Sequence, residues 1–424
     1  MGQNPVNTTS SKQALKDALY KELELQVQLS LNGINIEPDD LHQLGLSAVS
    51  RERLSIQAAT DAAPGITAAT PGSAVNSVTL DLPHGLHAGL RYEPESPYNL
   101  VAENGKPVIY KFARKPVRIT EVEFRKKTAN PFRGRTTTDG VPFENIARVN
   151  PSTGLVHVSF SVECSLKDKG EECLFCHYDN RKAILKTARQ VAEVFTAAVE
   201  AGVARSIHLT GGFIPERREL EVYLDVAEEI HSRTGLKNFN GSISLGAPQD
   251  YSVFDKFKEA GFSWIGSNME VWDRNIRKTI VPGKENQCGG YDNWLNSLLH
   301  AAKVFGKAKI HSNIIGGLEP KKTILEGVEF LTSRGILASV GMFHPTTGSG
   351  LEGHQSPEAA WHLDLAHKVA DIYRKNGFTL EEVHSYHSNG GVAGVLYRIE
   401  QEYFEDGKIK DWYLPLLQSN LQKV

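Results

Sequence analysis

The chain has 424 residues, 40% hydrophobic and 23% charged, with a formal net charge of −3. That is the composition of a globular protein with room for a sizeable core and additions. It excludes a globally basic nucleic-acid binder, and no apolar run reaches the about 18 residues of a membrane span.

The polar start Met1-Gly-Gln-Asn-Pro5 lacks the basic and apolar regions of a signal peptide, so a cytoplasmic location is expected. Ala14, Leu15, Ala18, Leu19, Leu23, Leu25, Val27 and Leu29 recur at mostly helical spacing and predict a helix from Lys12 to about Leu29. A second helix is expected after Pro38, through Leu41, Leu44 and Leu46, within an N-terminal helical segment 1–57. Asp40-Leu-His42-Gln-Leu-Gly45 has the D-x-H-x-x-G form in which cobalamin-binding domains offer a histidine. No buried strand precedes it, so His42 is read as a helix-surface residue. Residues 58–76 are small and turn-prone and read as a linker. Residues 77–153 hold short β-type runs (Ser77–Leu82, Pro107–Phe112, Val117–Val122) and form a β-rich accessory segment. The basic runs Lys111–Lys115 and Arg125–Lys127 read as solvated surface.

After Gly154 strands and helices alternate. Strands are expected at Leu155–Val162, Arg205–Leu209, Ser242–Leu245, Phe262–Ser267, Lys309–Ile315 and Leu337–Phe343, with helices at about 180–202, 217–233, 250–260, 289–305, 321–334 and 357–376. Six strands each followed by a helix predict an α/β fold, a partial (β/α)6 TIM-like barrel over 154–378 whose site forms at the carboxyl ends of the strands. Residues 379–424, with His384 and His387 in a polar stretch and apolar positions beyond, form a C-terminal capping segment.

The first strand runs into Cys164, Cys173 and Cys176, three of the four cysteines, spaced C-x8-C-x2-C. Clustered thiols without a disulfide framework fit a reducing compartment and a metal site. Two readings are open on spacing alone: three corners of a cubane iron–sulfur cluster with one iron free, or a zinc tetrahedron closed by a histidine such as His177. Glycine-rich or polar groups follow the later strands: Thr210-Gly211-Gly212-Phe213, Ser244-Leu-Gly246, Asn268-Met-Glu270, Asn313-Ile-Ile315-Gly316 and His344-Pro-Thr-Thr-Gly. Asn268 and Glu270, two apart on an extended segment, can clasp vicinal hydroxyls.

Phe175 before the last cysteine, with His177 and Tyr178 after it, reproduces the C-x-aromatic-C half of the radical S-adenosylmethionine (SAM) signature. Taken with the order of the strand-end motifs, residues 155–350 resemble the biotin-synthase-like branch of that superfamily. The usual motif has three residues between the first two cysteines. Here there are eight, including the polar insert Lys167–Glu172. The resemblance implies a [4Fe–4S] cluster on Cys164, Cys173 and Cys176, and SAM bound beside Phe175. Thr210, Gly211 and Gly212 would take its amino-acid moiety, Asn268 and Glu270 its ribose, and Ile315 and Gly316 its adenine, with Ser244 also on the cofactor. The usual Gly-Gly-Glu has Phe213 in place of the acid, with Glu216 near. The resemblance also implies an oxygen-sensitive enzyme that makes a 5′-deoxyadenosyl radical. Its substrate would be a small molecule or cofactor precursor undergoing rearrangement, methylation or a carbon–carbon bond change, with flavodoxin or ferredoxin as electron donor. Nucleic acid and peptide substrates are not expected. Cys288, the cysteine outside the loop, and His344 are the catalytic candidates, with Lys284 on the same rim. The rival readings are a different SAM cleavage or methyl transfer, and a zinc-stabilised binding or scaffold protein.

Overall fold

The computed structural model describes all residues except 1–7, 47–78, 92, 126–131, 133, 151–152, 162–163, 177–184, 215–216, 346–347, 385–389, 411–421 and 424. The expected linker lies outside the described residues, as do His177, Tyr178, Glu216 and His387. The central sheet has seven strands: β1 (Arg148–Asn150), β2 (Leu155–Ser159), β3 (Ser206–Thr210), β4 (Gly241–Ser244), β5 (Phe262–Gly266), β6 (Ile310–Gly316) and β7 (Leu337–Met342). Spatial order equals chain order. β2 to β7 are parallel, and β1 adds an antiparallel edge.

Parallel neighbours require crossovers, and helices supply them. Ala188–Glu200 starts at a capping box in which Thr187 and Gln190 satisfy each other's backbone, and it buries Val191, Val194 and Phe195. Glu219–Thr234 stops at Gly235, whose φ of 67° is the left-handed C-cap conformation. Gly290–Phe305, Lys321–Thr332 and Ala359–Lys375 follow in turn. The helix expected from about 180 begins eight residues later, where Thr187 provides the cap. Between β5 and Gly290 the chain forms two further short helices, Arg274–Ile280 and Pro282–Gln287, not anticipated from the sequence.

His157, His208, Ser244, Gly266, Asn313 and Gly341, one from each parallel strand, line a single cavity. The sheet is therefore curled, yet β1 and β7 do not pair, so the barrel is partial. The helix Gly391–Glu400 packs on the outer side of β7, and a Cβ on Gly391 would lie 3.0 Å from the Val340 carbonyl oxygen. A side chain there would hold the helix away from the sheet.

The N-terminal helix, Thr8–Asn32, is longer than its apolar pattern suggested and buries Leu19, Leu23 and Leu29 against Ala359–Lys375 and Gly391–Glu400. Each such leucine is worth about 2 kcal/mol of burial. Glu22 on this helix accepts from the His84 backbone N–H at 2.7 Å and contacts His84 Nδ1 at 2.8 Å. The extension carries two three-stranded antiparallel sheets and shares one continuous apolar core with the barrel. His42 is exposed on the short helix Pro38–Gln43. No described helix is long and apolar enough to cross a membrane.

Candidate active site

β2 delivers the chain to the cysteine loop at the carboxyl end of the barrel. Cys164 precedes a one-turn helix, Ser165–Asp168. Cys173 and Cys176 close a turn in which the Cys176 N–H donates to the Cys173 carbonyl at 2.9 Å. The polar insert is this loop's fastening. The Glu171 carboxylate accepts from Asn286 at 2.8 Å and Gln287 at 3.1 Å, and Lys169 donates to Gln287 at 3.0 Å. The Gly283 N–H donates to the Glu171 carbonyl at 3.0 Å, and the Leu174 N–H to Ile280 at 2.8 Å. Only glycine fits at 283, where a Cβ would lie 2.4 Å from that carbonyl oxygen.

All three loop thiols, with Phe175, line a cavity of about 320 Å³. Burial pushes the Cys173 thiol up to about 12, against the pull of Lys284, with Glu270 and Cys164 adding to the rise. Burial, then Cys173 and Cys164, raise Cys176. Three thiols on one cavity, two of them raised by burial, are a donor set that positive metal would deprotonate. Among the described residues no three His, Cys, Asp or Glu side chains converge on one metal ion. A cubane spreads its thiolates over separate irons, and three thiols on one cavity fit three of its corners.

The same cavity receives Thr210 from the end of β3 with Gly211 and Gly212 beyond it, Ser244 from β4, Asn268 and Glu270 from beyond β5, Ile315 from β6 and His344 from beyond β7. Gly211 is glycine for a packing reason: a Cβ would sit 2.8 Å from the Ser161 carbonyl oxygen. Asn268 and Glu270 share the cavity, but not by extended alternation, because Glu270 has a φ of 62°. The Glu270 N–H donates to Asn313 at 2.9 Å and its carbonyl accepts from Ile315 at 2.8 Å, which pins that bend to β6. Its side chain pairs with Lys284 at 2.7 Å. Asn268 Oδ1 accepts from the Asn313 N–H at 3.1 Å.

Gly316 does not line the cavity. A Cβ there would point at Val340 and Leu365, 3.1 and 3.4 Å away. Cys288 is absent from the lining too. It is fully buried behind Gly246, its sulfur 3.3 Å from Arg217 Nη1, and burial raises its thiol despite that cation. His344 is held neutral, with a pKa of about 4, by burial and then by Arg91 and His362.

Several lining residues went unnoticed in the sequence. Glu219 is a buried carboxylate on the wall, paired with Arg217 and accepting from the Ile214 N–H at 3.3 Å. It is an acid near the Gly-Gly turn, where Phe213 replaced the expected one. Deeper down, the rings of His157 and His208 lie 5.3 Å apart, with His208 Nδ1 2.8 Å from Ser242 Oγ. Burial, with Arg148 and Lys186, holds His157 at about 4, so this imidazole is uncharged at neutral pH. The alternation Leu155-Val-His157-Val-Ser159 was the signal: period two sets His157 on the face opposite Val156 and Val158.

A curled parallel sheet carrying three thiols and polar strand-end loops around one cavity defines a cofactor-dependent α/β enzyme. Residues 158–331 match the Radical SAM superfamily, whose members use a [4Fe–4S] cluster and SAM. A bacteriochlorophyllide c C-7(1)-hydroxylase from Chlorobaculum limnaeum is 26% identical over 272 residues, 59% of this chain and 67% of that protein. Among solved structures, methylornithine synthase is similar over 60% of this chain and 69% of its own, at 17% identity and a TM-score of 0.42. Coproporphyrinogen III oxidase from Escherichia coli is similar over 53% of this chain and 52% of its own, at 14% identity and a TM-score of 0.37.

Proposed function

We propose that the enzyme abstracts a hydrogen atom from an unreactive carbon of a small-molecule or cofactor-precursor substrate held in the lumen of the partial barrel. The observation that supports this is the meeting of Cys164, Cys173 and Cys176 with the strand-end residues Thr210, Ser244, Asn268 and Glu270 around one cavity. When bound, the cluster supplies the electron that splits SAM into methionine and a 5′-deoxyadenosyl radical. The three thiolates would ligate three irons. The backbone of Thr210–Gly212 and the Glu219 carboxylate would hold SAM's amino-acid moiety, Asn268 and Glu270 its ribose, and Ile315 its adenine. His157 and His208 offer a substrate hydrogen-bonding groups, while Phe213, Trp294 and Phe343 keep water from the walls. The hydroxylase similar to this chain acts, by its name, at one carbon of bacteriochlorophyllide c, which favours a cofactor-type substrate over a macromolecule. The electron donor would be a flavodoxin or ferredoxin of the cytoplasm.

The test is electron paramagnetic resonance of the anaerobically reconstituted, reduced enzyme with and without SAM, followed by product analysis. A [4Fe–4S]+ signal that shifts on adding SAM, with 5′-deoxyadenosine accumulating, is expected. One tightly bound zinc and no cluster would overturn the reading. S-adenosylhomocysteine without 5′-deoxyadenosine would replace it with methyl transfer.

A further inference from the structure

The antiparallel sheet of the extension pairs Tyr98–Glu103 with Lys106–Phe112, and Lys106–Phe112 with Pro116–Glu121. Pro116–Glu121 is an edge strand, and every residue from Lys111 to Ile119 is exposed. The large exposed hydrophobic residues of the described chain are Phe112 (47%), Val117 (53%), Ile119 (39%) and Leu185 (61%), so three of the four sit on this one hairpin. Phe112 lies opposite Pro116, and Lys111 opposite Val117. Neighbouring residues point to opposite faces of a strand, so Phe112 and Val117 emerge on the two faces of the tip.

Cations accompany them. Arg118 is paired with Glu103 at 2.8 Å and Lys106 with Glu121 at 2.6 Å. Lys111, Arg114 and Lys115 have no ion pair among the described residues, although Lys111 Nζ lies 5.4 Å from the centre of the Tyr98 ring. Lysines on an edge strand ordinarily block strand pairing. That role explains the charge and not the apolar side chains, which work against it. A folded protein partner would cover one face of the hairpin and leave the other wet. An apolar tip exposed on both faces and ringed by unpaired cations instead suits a surface it can enter, with the side chains at the headgroup boundary and the cations at anionic headgroups.

We infer that the Lys106–Glu121 hairpin docks the enzyme peripherally on an anionic lipid surface. This inference is independent of the proposed chemistry.

The test is co-sedimentation of the reconstituted full-length enzyme with vesicles of equal parts phosphatidylcholine and phosphatidylglycerol, against vesicles of phosphatidylcholine alone. Binding to the mixed vesicles, weak binding to the neutral ones, and release near 1 M salt, where the screening length falls to about 3 Å, are expected. Lys111→Gln/Arg114→Gln/Lys115→Gln should weaken binding on the order of 100-fold, at roughly five-fold per cation. Phe112→Ser/Val117→Ser should weaken it by roughly ten-fold. Both variants should keep the wild-type melting temperature and cluster spectrum, because all five residues are exposed. Absence of binding to either vesicle, or binding that both variants retain, would overturn the inference. So would a dimer in gel filtration that Ile119→Lys dissociates without any vesicle binding, since the strand edge would then serve a second copy of this chain.

Discussion

Lys284 Nζ lies 2.7 Å from Glu270 Oε1, with both side chains largely buried. Burial alone would lower the lysine pKa, but the Glu270 carboxylate and then Cys173 outweigh it and hold the ammonium above its ordinary value. This pair joins the bend after β5 to the helix Pro282–Gln287, the element that fastens the cysteine loop. Glu270→Gln leaves a buried cation alone and should cost about 3–5 kcal/mol. Glu270→Gln/Lys284→Met should recover most of that loss. Urea unfolding of the two variants measures the coupling, and a double variant no more stable than the single would show that the two residues act separately.

Replacing Cys164, Cys173 or Cys176 by serine should abolish the cluster's absorbance and paramagnetic signal. Cys288→Ala should retain both, with 5′-deoxyadenosine formation within about two-fold of wild type, because the sulfur lies behind Gly246 and its loss removes about 1 kcal/mol of packing. Loss of turnover in Cys288→Ala with an intact cluster would return that thiol to the chemistry.

Gly211→Ala places a methyl group 2.8 Å from the Ser161 carbonyl oxygen and 3.0 Å from its nitrogen. Neither is a flexible side-chain end, so the ends of β2 and β3 must separate. A loss of about 1–3 kcal/mol is expected. Cys164 lies three residues after Ser161, so iron incorporation at a fixed dose of iron and sulfide should fall as well. A variant with the wild-type melting temperature and full iron content would contradict this account of the turn.

His311 is buried with a pKa near 4, and its Nε2 lies 2.8 Å from Ser339 Oγ. Between pH 6.5 and 4 the unfolded imidazole binds a proton that the folded one does not. The folded state is therefore favoured above pH 6.5 and loses about 2–3 kcal/mol as pH falls to 4. Melting temperature against pH for the cluster-free chain should drop across that window, and His311→Gln should flatten the drop. Equal slopes would assign the loss to other groups.

The parallel barrel was legible because each strand is a short apolar run between helical patterns, and the strand ends could be counted off to find the cavity. The cysteine loop was legible from thiol spacing. What escaped depends on neighbours remote in sequence. Cys288 looked like a rim residue until Arg217 and Gly246 were seen to enclose it. Glu270 looked extended, since nothing local announces a left-handed bend pinned by Asn313 and Ile315. Glu219 drew no notice because acids are ordinary in a helix's first turn, favoured there by the helix dipole. The extension read as an accessory because apolar periodicity in Thr8–Asn32 says that a face is covered, not by what.

Glu171 and Lys169 find their partners at Asn286 and Gln287, 115 to 118 residues downstream. The loop that carries the thiols is therefore no self-contained knuckle. During synthesis Cys176 leaves the ribosome long before the segment that clamps its loop, and the three sulfurs acquire their final spacing only once that segment has folded against them. Iron delivery would then follow chain completion, with the clamp setting the order of events.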